Sequence, residues 1–340
     1  MTKLKTLAAL LAASAALANT ALAADTELNL YTARHYQTDE ALYSNFTART
    51  GIKINRIEGK EEELLERIRN EGANSPADVF ITVDAARLAA ADQYGIFATV
   101  DSPTLKSVIP AHLHTDRWFA FSTRARVIVY NKLDVKPDQV RNYEDLAKPE
   151  LKGKVCTRSG SHAYNMSLGS ALIQHIGAAK TEEWARGLVA NFARAPKGGD
   201  TDQIKAVAAG ECGVALVNSY YLARMFKSTK PEDQKVVDRI GIVWPNQSSF
   251  GTHINISGGG MLKTAPHKEA AVKFLEYLAS PEAQDYFANG NNEWPVVAGV
   301  KISNRGLEAM GKFKADTLPV GKLADTVIDA QKIYDRAGFR

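Results

Sequence analysis

Four tyrosines stand where predicted strands give way to predicted helices. Tyr36 comes directly after the first strand, Tyr164 lies at the start of a helix, and Tyr220 and Tyr221 are neighbours just past a later strand. Any single tyrosine of this kind is more often a packed or hydrogen-bonded aromatic than a ligand. Four of them at positions that face a cleft in an α/β protein form a candidate binding set.

The chemistry open to such a set is binding of a hard metal ion. A neutral phenol, with a pKa near 10, is a poor ligand. A highly charged cation removes the phenol proton, and the resulting phenolate oxygen suits Fe(III) better than Cu(I) or Zn(II). Four phenolates and one Fe(III) leave one negative charge, so a nearby arginine is expected. Arg34 and Arg224 are the candidates, and Arg224 lies one helical turn beyond Tyr220.

The elements that would position these tyrosines alternate between short β-rich runs and longer amphipathic stretches, a pattern typical of α/β architecture. Strands are predicted at 27–31, 52–57, 77–82, 126–131, 154–157, 213–218, 240–243 and 254–262. Helices are predicted at 38–49, 61–70, 85–94, 166–176, 182–191, 202–209, 266–279 and 281–289, the last two starting at proline.

Two chain crossings, near 119–127 and 245–256, divide this pattern into two lobes. We expect one lobe to comprise residues 24–122 and about 253–300. The other would comprise residues 123–252 and about 301–340. A cleft between two such lobes, lined by strand ends and helix N-termini, is the expected ligand site.

The N-terminus has the three parts of a secretory signal peptide. Lys3 and Lys5 precede an apolar run, which ends at Ala21-Leu22-Ala23. Residues 1–23 are therefore predicted to be a signal peptide, and the mature chain to act in a bacterial periplasm. The alternative, an uncleaved anchor, is disfavoured because the run is shorter than the ~20 residues that span a bilayer.

The two cysteines, Cys156 and Cys212, agree with that compartment. An even count in an oxidising environment predicts a disulfide. A thiolate metal site is the weaker alternative, because neither cysteine belongs to a Cys-x-x-Cys pattern.

Composition excludes several classes of protein. The 340 residues carry 42 Lys and Arg against 38 Asp and Glu, and 45% are hydrophobic. These values are typical of globular proteins and argue against a disordered or multi-span membrane chain. Because no Lys/Arg-rich run concentrates the small positive surplus, we expect no nucleic-acid partner.

Several motifs resemble those of periplasmic ferric-ion-binding proteins, the substrate-binding components of ABC-type iron(III) importers. The resemblance covers essentially the whole mature chain. The motifs are Tyr31-x-x-Arg-His-Tyr36, Ser75-Pro-Ala-Asp-Val-Phe80, Arg126-Val-Ile-Val-Tyr-Asn131, Tyr164-Asn-x-Ser and Asn218-Ser-Tyr-Tyr-Leu222, of which the tyrosine pair is the most specific.

This resemblance implies an α/β, two-lobed periplasmic-binding-protein fold of class II type, with two crossover strands and a ligand cleft between the lobes. It implies Fe(III) as the ion, an inner-membrane ABC permease as the partner, and a monomer. The implied ligands are the phenolates of Tyr36, Tyr164, Tyr220 and Tyr221, with His35 as a candidate fifth donor.

One position departs from a branch of that family in which a glutamate follows the Pro-Ala-Asp-Val-Phe strand and a phosphate completes the metal shell. Here the loop reads Thr82-Val83-Asp84. Valine cannot ligate, and Asp84 is expected to cap the next helix. Tyr164 indicates the tyrosine-dominated branch instead.

Two other functions compete with iron binding. An enzyme is disfavoured: Ser159, Ser161 and His162 lack a Gly-x-Ser-x-Gly elbow, and the run 258–260 of three glycines lacks the ending of a phosphate loop. His162 is instead a candidate partner of Tyr164. The remaining alternative is a binding protein of the same fold for an anion or small solute, which would offer convergent Arg and Ser donors.

Overall fold

The computed structural model describes residues 25–34 and 36–340. The predicted signal peptide at 1–23 and the candidate donor His35 lie outside these residues. No helix in the described part of the chain is long and apolar enough to cross a membrane.

The described residues form nine strands. They are β1 (Glu27–Thr32), β2 (Lys53–Glu58), β3 (Val79–Thr82), β4 (Phe119–Asn131), β5 (Val155–Cys156), β6 (Val214–Asn218), β7 (Ile240–Val243), β8 (Ile254–Met261) and β9 (Trp294–Pro295).

Helices cover the sheet and connect its strands. They are α1 (Asp39–Thr50), α2 (Glu61–Glu71), α3 (Ala85–Gln93), α4 (Pro103–Val108), α5 (Ala163–Ile176), α6 (Ala178–Ala190), α7 (Asp200–Ala209), α8 (Ser219–Lys227), α9 (Pro231–Arg239), α10 (Lys268–Leu278), α11 (Pro281–Asn289), α12 (Arg305–Met310) and α13 (Leu323–Ala337).

The long strand β4 belongs to two groups of strands. Residues 119–125 pair with β8, which in turn pairs with β3 and so joins β1 and β2. Residues 126–131 pair with β6 and β7, and β6 pairs with the short strand β5. β1, β2 and β3 run parallel, whereas β8 is antiparallel to both of its neighbours. A single strand thus carries the chain from one group to the other at Ala125 and Arg126.

Close backbone packing explains the three glycines in β8. A Cβ atom on Gly259 would lie 2.4 Å from the carbonyl oxygen of Phe80, and one on Gly260 would lie 2.3 Å from that of Arg117. Any side chain would collide there. The interpretation of this run as a close approach rather than a phosphate loop agrees with the structure.

Some helices begin earlier or later than predicted. α5 begins at Ala163, three residues early, because the His162 ring caps its first turn by accepting from the Tyr164 amide at 3.2 Å. α10 begins at Lys268 rather than at Pro266, since the buried Asp78 carboxylate fixes the preceding turn by accepting from His267 N at 2.7 Å. The earlier start of α5 places Tyr164 inside the first turn of this helix.

The predicted disulfide is confirmed. Cys156 and Cys212 are bonded, with their Cα atoms 5.9 Å apart, and both are buried.

Candidate metal centre

Two of the four tyrosines meet directly. The phenol oxygens of Tyr164 and Tyr220 lie 2.8 Å apart. Tyr164 is in the first turn of α5 and Tyr220 in the first turn of α8. β5 and β6, the strands before these helices, are parallel neighbours, so their carboxyl ends bring both helix starts to one edge of the sheet.

Tyr221 and Tyr36 complete the group. The Tyr221 ring lies 4.3 Å from the Tyr220 ring. Tyr36 follows β1 in the other group of strands, and electrostatic interactions connect it with Tyr164, Tyr220 and Tyr221. The structure therefore gathers all four predicted tyrosines from three distant segments of the chain.

Burial keeps these phenols neutral in the absence of a metal. It raises the pKa of Tyr36, Tyr164 and Tyr220 above the usual value of 10, because a phenolate is poorly solvated there. Negative charge on a neighbouring phenolate raises the pKa of Tyr164 and Tyr220 further. A strongly charged ion is needed to draw several protons from this pocket at neutral pH.

Arg124 is the arginine that faces the phenols, and sequence analysis missed it. It is 1% exposed, donates to Ser257 Oγ at 2.8 Å and lies 3.5 Å from the Glu293 carboxylate. Its charge lowers the pKa of Tyr36, Tyr164 and Tyr220 against the effect of burial. The sequence signal was an arginine inside a long, otherwise largely apolar strand.

The two arginines chosen from the sequence occupy different places. Arg34 is buried, pairs with Asp39 at 2.8 Å and Glu293 at 3.1 Å, and lies 4.8 Å from the Tyr36 ring centroid. Arg224 lies 5.8 Å from the Tyr221 ring centroid. It also lines a cavity of about 360 Å³ together with Tyr36, Tyr220 and Glu293.

A second cluster of arginines surrounds Tyr164. Arg126 pairs with the buried Asp200 at 2.8 Å, and Arg158 lies 3.4 Å from the same carboxylate and 4.9 Å from the Tyr164 ring centroid. Apart from the exposed Arg224, the charged side chains packed around the phenols are four arginines and three carboxylates, an excess of one positive charge: Arg34, Arg124, Arg126 and Arg158 against Asp39, Asp200 and Glu293.

Other donors are scarce near the phenols. In the described ranges, 25–34 and 36–340, no group of three or more His, Cys, Asp or Glu side chains is arranged to hold a metal ion. His162 packs edge-on against Tyr164 with the ring centroids 4.4 Å apart. Burial, together with the charges of Arg158 and Arg126, lowers the pKa of His162 to about 4. A metal at this place would bind mainly to phenolate oxygens.

Asp84 caps α3 as predicted, and it also bonds to side chains of two other elements. Its carboxylate accepts from the Arg87 amide at 3.0 Å at the start of α3. It also accepts from Ser167 Oγ of α5 and from Asn255 Nδ2 of β8, both at 2.7 Å. Asp84 therefore links α3, α5 and β8.

Comparison with known proteins places the chain among transport proteins. A family described as bacterial extracellular solute-binding proteins matches residues 74–313. The chain belongs to this family. Its fold is accordingly the predicted two-lobed α/β substrate-binding fold, and the residues that the match covers include Tyr164, Tyr220 and Tyr221.

Several proteins that are similar to the chain are named for iron. The chain is 49% identical to "Iron uptake protein A1" of Synechocystis sp. over 92% of this chain and 88% of that protein. It is 32% identical to the "Fe(3+)-binding periplasmic protein" of Serratia marcescens over 86% of this chain and 85% of that one. A Trichodesmium protein solved "in complex with iron and citrate ligands" is 55% identical, with a TM-score of 0.88 over 92% of this chain and all of that one.

Proposed function

We propose that this protein captures Fe(III) in the periplasm and delivers it to an ABC-type importer in the inner membrane. The ion is held by the phenolates of Tyr36, Tyr164, Tyr220 and Tyr221. The observation that carries the proposal is the 2.8 Å approach of the Tyr164 and Tyr220 oxygens in a pocket that also holds the other two phenols and Arg124.

The charges of the pocket suit a trivalent ion. Four phenolates around Fe(III) leave a net charge of −1, and the ionised groups around them carry one positive charge in excess. A buried cluster close to neutrality avoids much of the cost of removing charge from water. His35, which follows Arg34 in the sequence, is the proposed fifth donor.

Location and partners follow from the predicted signal peptide and from the relatives. Residues 1–23 have the pattern of an exported chain. We place the ion between two lobes, with residues 24–122 and about 253–300 in one and residues 123–252 and about 301–340 in the other. A monomer of this shape closes on the ion and presents the closed form to a permease.

Binding rather than catalysis is the proposed activity. The chain is similar to proteins named for iron uptake and iron binding. Ser159 and Ser161, which opened the hydrolase alternative, hydrogen-bond to each other at 2.8 Å in an exposed turn before α5.

An iron titration tests the proposal. Ferric phenolate absorbs visible light, so the wild-type protein should become coloured with one equivalent of iron. The double variant Tyr220→Phe/Tyr221→Phe should fold but lose affinity by more than about 100-fold, beyond the usual effect of removing an outer partner of a metal ligand. Tyr94→Phe, at a position that is 57% exposed, is the matched control and should bind as the wild type does.

A double variant that binds iron unchanged would contradict the site. A wild-type protein that stays colourless with iron, yet binds an anion or small solute, would support the alternative of a solute-binding protein with the same fold.

A further inference from the structure

The disulfide lies at matching positions upstream of the two phenols that meet. Tyr164 follows Cys156 by eight residues, and Tyr220 follows Cys212 by eight. Each cysteine stands at or just before a strand, and each tyrosine stands in the first turn of the helix after that strand. The bond therefore joins the two chain segments that deliver the 2.8 Å pair of phenol oxygens.

The strand on the Cys156 side is short. β5 has only two residues, which pair with Val214 and Ala215 of β6 on one side, while a single bridge joins Val155 to Phe192 on the other. β6, in contrast, has five residues and lies between β4 and β5. Because a two-residue strand has few ladder hydrogen bonds, a covalent bond to the segment that leads into β6 changes the position of β5 more than that of β6.

The connection from Cys156 to Tyr164 is tightly packed and would transmit a shift of β5. Asn165 Nδ2 donates to Thr157 Oγ1 at 3.2 Å and to the carbonyl oxygens of Arg158 and Ser159 at 3.0 Å. A Cβ on Gly160 would lie 2.3 Å from the Phe339 carbonyl oxygen, so this loop has no spare room. Residues 157–165 are thus hydrogen-bonded to one another along the path from β5 to Tyr164.

We infer that the Cys156–Cys212 disulfide is a positioning element for the metal site and holds Tyr164 beside Tyr220. This inference rests on the proposed function. Both cysteines are 2% exposed or less, so the bond is a buried structural disulfide rather than an exposed pair that exchanges with other thiols. Loss of the bond is expected to weaken iron binding roughly 10- to 100-fold, as removal of supports behind metal ligands does.

A bond that only stabilises the fold as a whole behaves differently. It restricts the unfolded chain across its 56-residue separation, and its loss weakens iron binding by the same factor whichever ligand tyrosine is present. A positioning bond acts through Tyr164. Its effect on iron binding should therefore disappear once the Tyr164 oxygen is absent.

A double-mutant cycle separates the two roles. The pair Cys156→Ala/Cys212→Ala is made in the wild-type, Tyr164→Phe and Tyr36→Phe backgrounds, and iron affinity is measured by competition with a chelator. Cys156→Val/Cys212→Ala is the second version, which retains more core volume. Circular dichroism and the unfolding midpoint are recorded for each protein.

The expected result is a 10- to 100-fold loss in the wild-type and Tyr36→Phe backgrounds and a change within about twofold in the Tyr164→Phe background. An equal loss in all three backgrounds would overturn the inference. It would also be overturned if neither double cysteine variant folded, because the bond would then be required for the fold as a whole. If the wild-type protein itself bound no iron, the proposed function would fail first.

Discussion

At the scale of single residues, the site combines one buried phenol, Tyr220, and three partly buried phenols with a buried arginine. Burial opposes ionisation of Tyr36, Tyr164 and Tyr220, and Arg124 favours it. Arg124 is itself held in place by Ser257 and Glu293. Tyr36, Tyr164 and Tyr220 are consequently neutral when the site is empty, and they become anionic only when a cation supplies the compensating charge.

Iron binding should depend steeply on pH. Because the pKa of Tyr36, Tyr164 and Tyr220 lies above 10 without metal, each phenol must release a proton when it ligates. Affinity should fall by about four orders of magnitude for each pH unit lost, one for each phenol that ligates as phenolate, after correction for iron hydrolysis. Chelator competition at pH 5.5, 6.5 and 7.5 measures this, and a change of one order of magnitude or less per unit would be incompatible with four phenol ligands.

Acid sensitivity of the iron-free fold should come partly from His253. This residue precedes β8, is 3% exposed, and its Nε2 atom has no hydrogen-bond partner in the described structure. Burial is the main cause that lowers its pKa to about 4, with Asp316 and Asp84 acting against burial and Arg126 and His175 acting with it.

Between about pH 6.5 and pH 4 the unfolded chain binds the His253 proton and the folded chain does not, so stability falls as pH falls through this window. His253→Gln should flatten the pH dependence of the unfolding free energy by up to about 1.4 kcal/mol per pH unit. Urea unfolding of the iron-free protein measures it. His114→Gln, at a partly buried loop position, is the control, and an equal pH slope in wild type and His253→Gln would disprove the assignment.

Sequence analysis found residues that local sequence identifies and missed residues that come together only through long-range contacts. Tyr220 and Tyr221 were recognisable because a tyrosine pair directly after a strand is local information. Glu293 and Ser257 reach Arg124 only through folding, since they lie more than 130 residues away from it. The pattern therefore predicted the phenols and Arg34 but could not identify Arg124 or the side chains that hold it.

At the scale of elements, the site depends on where strands end and helices begin. α5 and α8 both carry tyrosines of the proposed site in their first turns. The sequence predicted β1 to β8 and eight of the thirteen described helices, but not α4, α8, α9, α12 or α13. The start of α5 was wrong by three residues and that of α6 by four. His162, which is not a preferred cap, supplies the capping nitrogen, and only the tertiary fold holds its ring there.

A buried hydrogen-bond cluster joins elements that we assign to different lobes. Asp84 before α3 accepts from Ser167 of α5, and Asn255 of β8 donates to both. All three side chains are 5% exposed or less. Because these hydrogen bonds to a carboxylate form only when the two lobes are together, they stabilise the closed arrangement.

Ser167→Ala should therefore speed iron release without changing the ligands. The lost hydrogen bond contributes about 1 kcal/mol to closure, equivalent to about a fivefold faster release. Stopped-flow transfer of iron to excess chelator gives the rate. Ser44→Ala, which removes an exposed hydroxyl bonded within α1, is the control, and an unchanged rate in Ser167→Ala would exclude this cluster from closure.

At the scale of the whole molecule, β4 is the element that connects the two groups of strands, and the phenols come from both of them. Tyr36 follows β1, whereas Tyr164, Tyr220 and Tyr221 follow β5 and β6. Relative movement of the two groups would separate Tyr36 from the other three. In the proposed mechanism, this movement assembles the four phenols for capture of the ion and separates them for its release.

Alternation of strands and helices predicted the architecture and the crossing at β4, because hydrophobic periodicity is a local property. The strand β9 could not be predicted from the sequence. It pairs with β4 at Ser122 and Thr123, but its two residues are too few to form a recognisable pattern.

Anomalous diffraction at the iron absorption edge from crystals of the iron-loaded protein tests the central claim most directly. We predict a single strong peak within bonding distance of the phenol oxygens of Tyr36, Tyr164, Tyr220 and Tyr221. A peak elsewhere, or four phenol oxygens too far apart to share one ion in the loaded protein, would contradict the account.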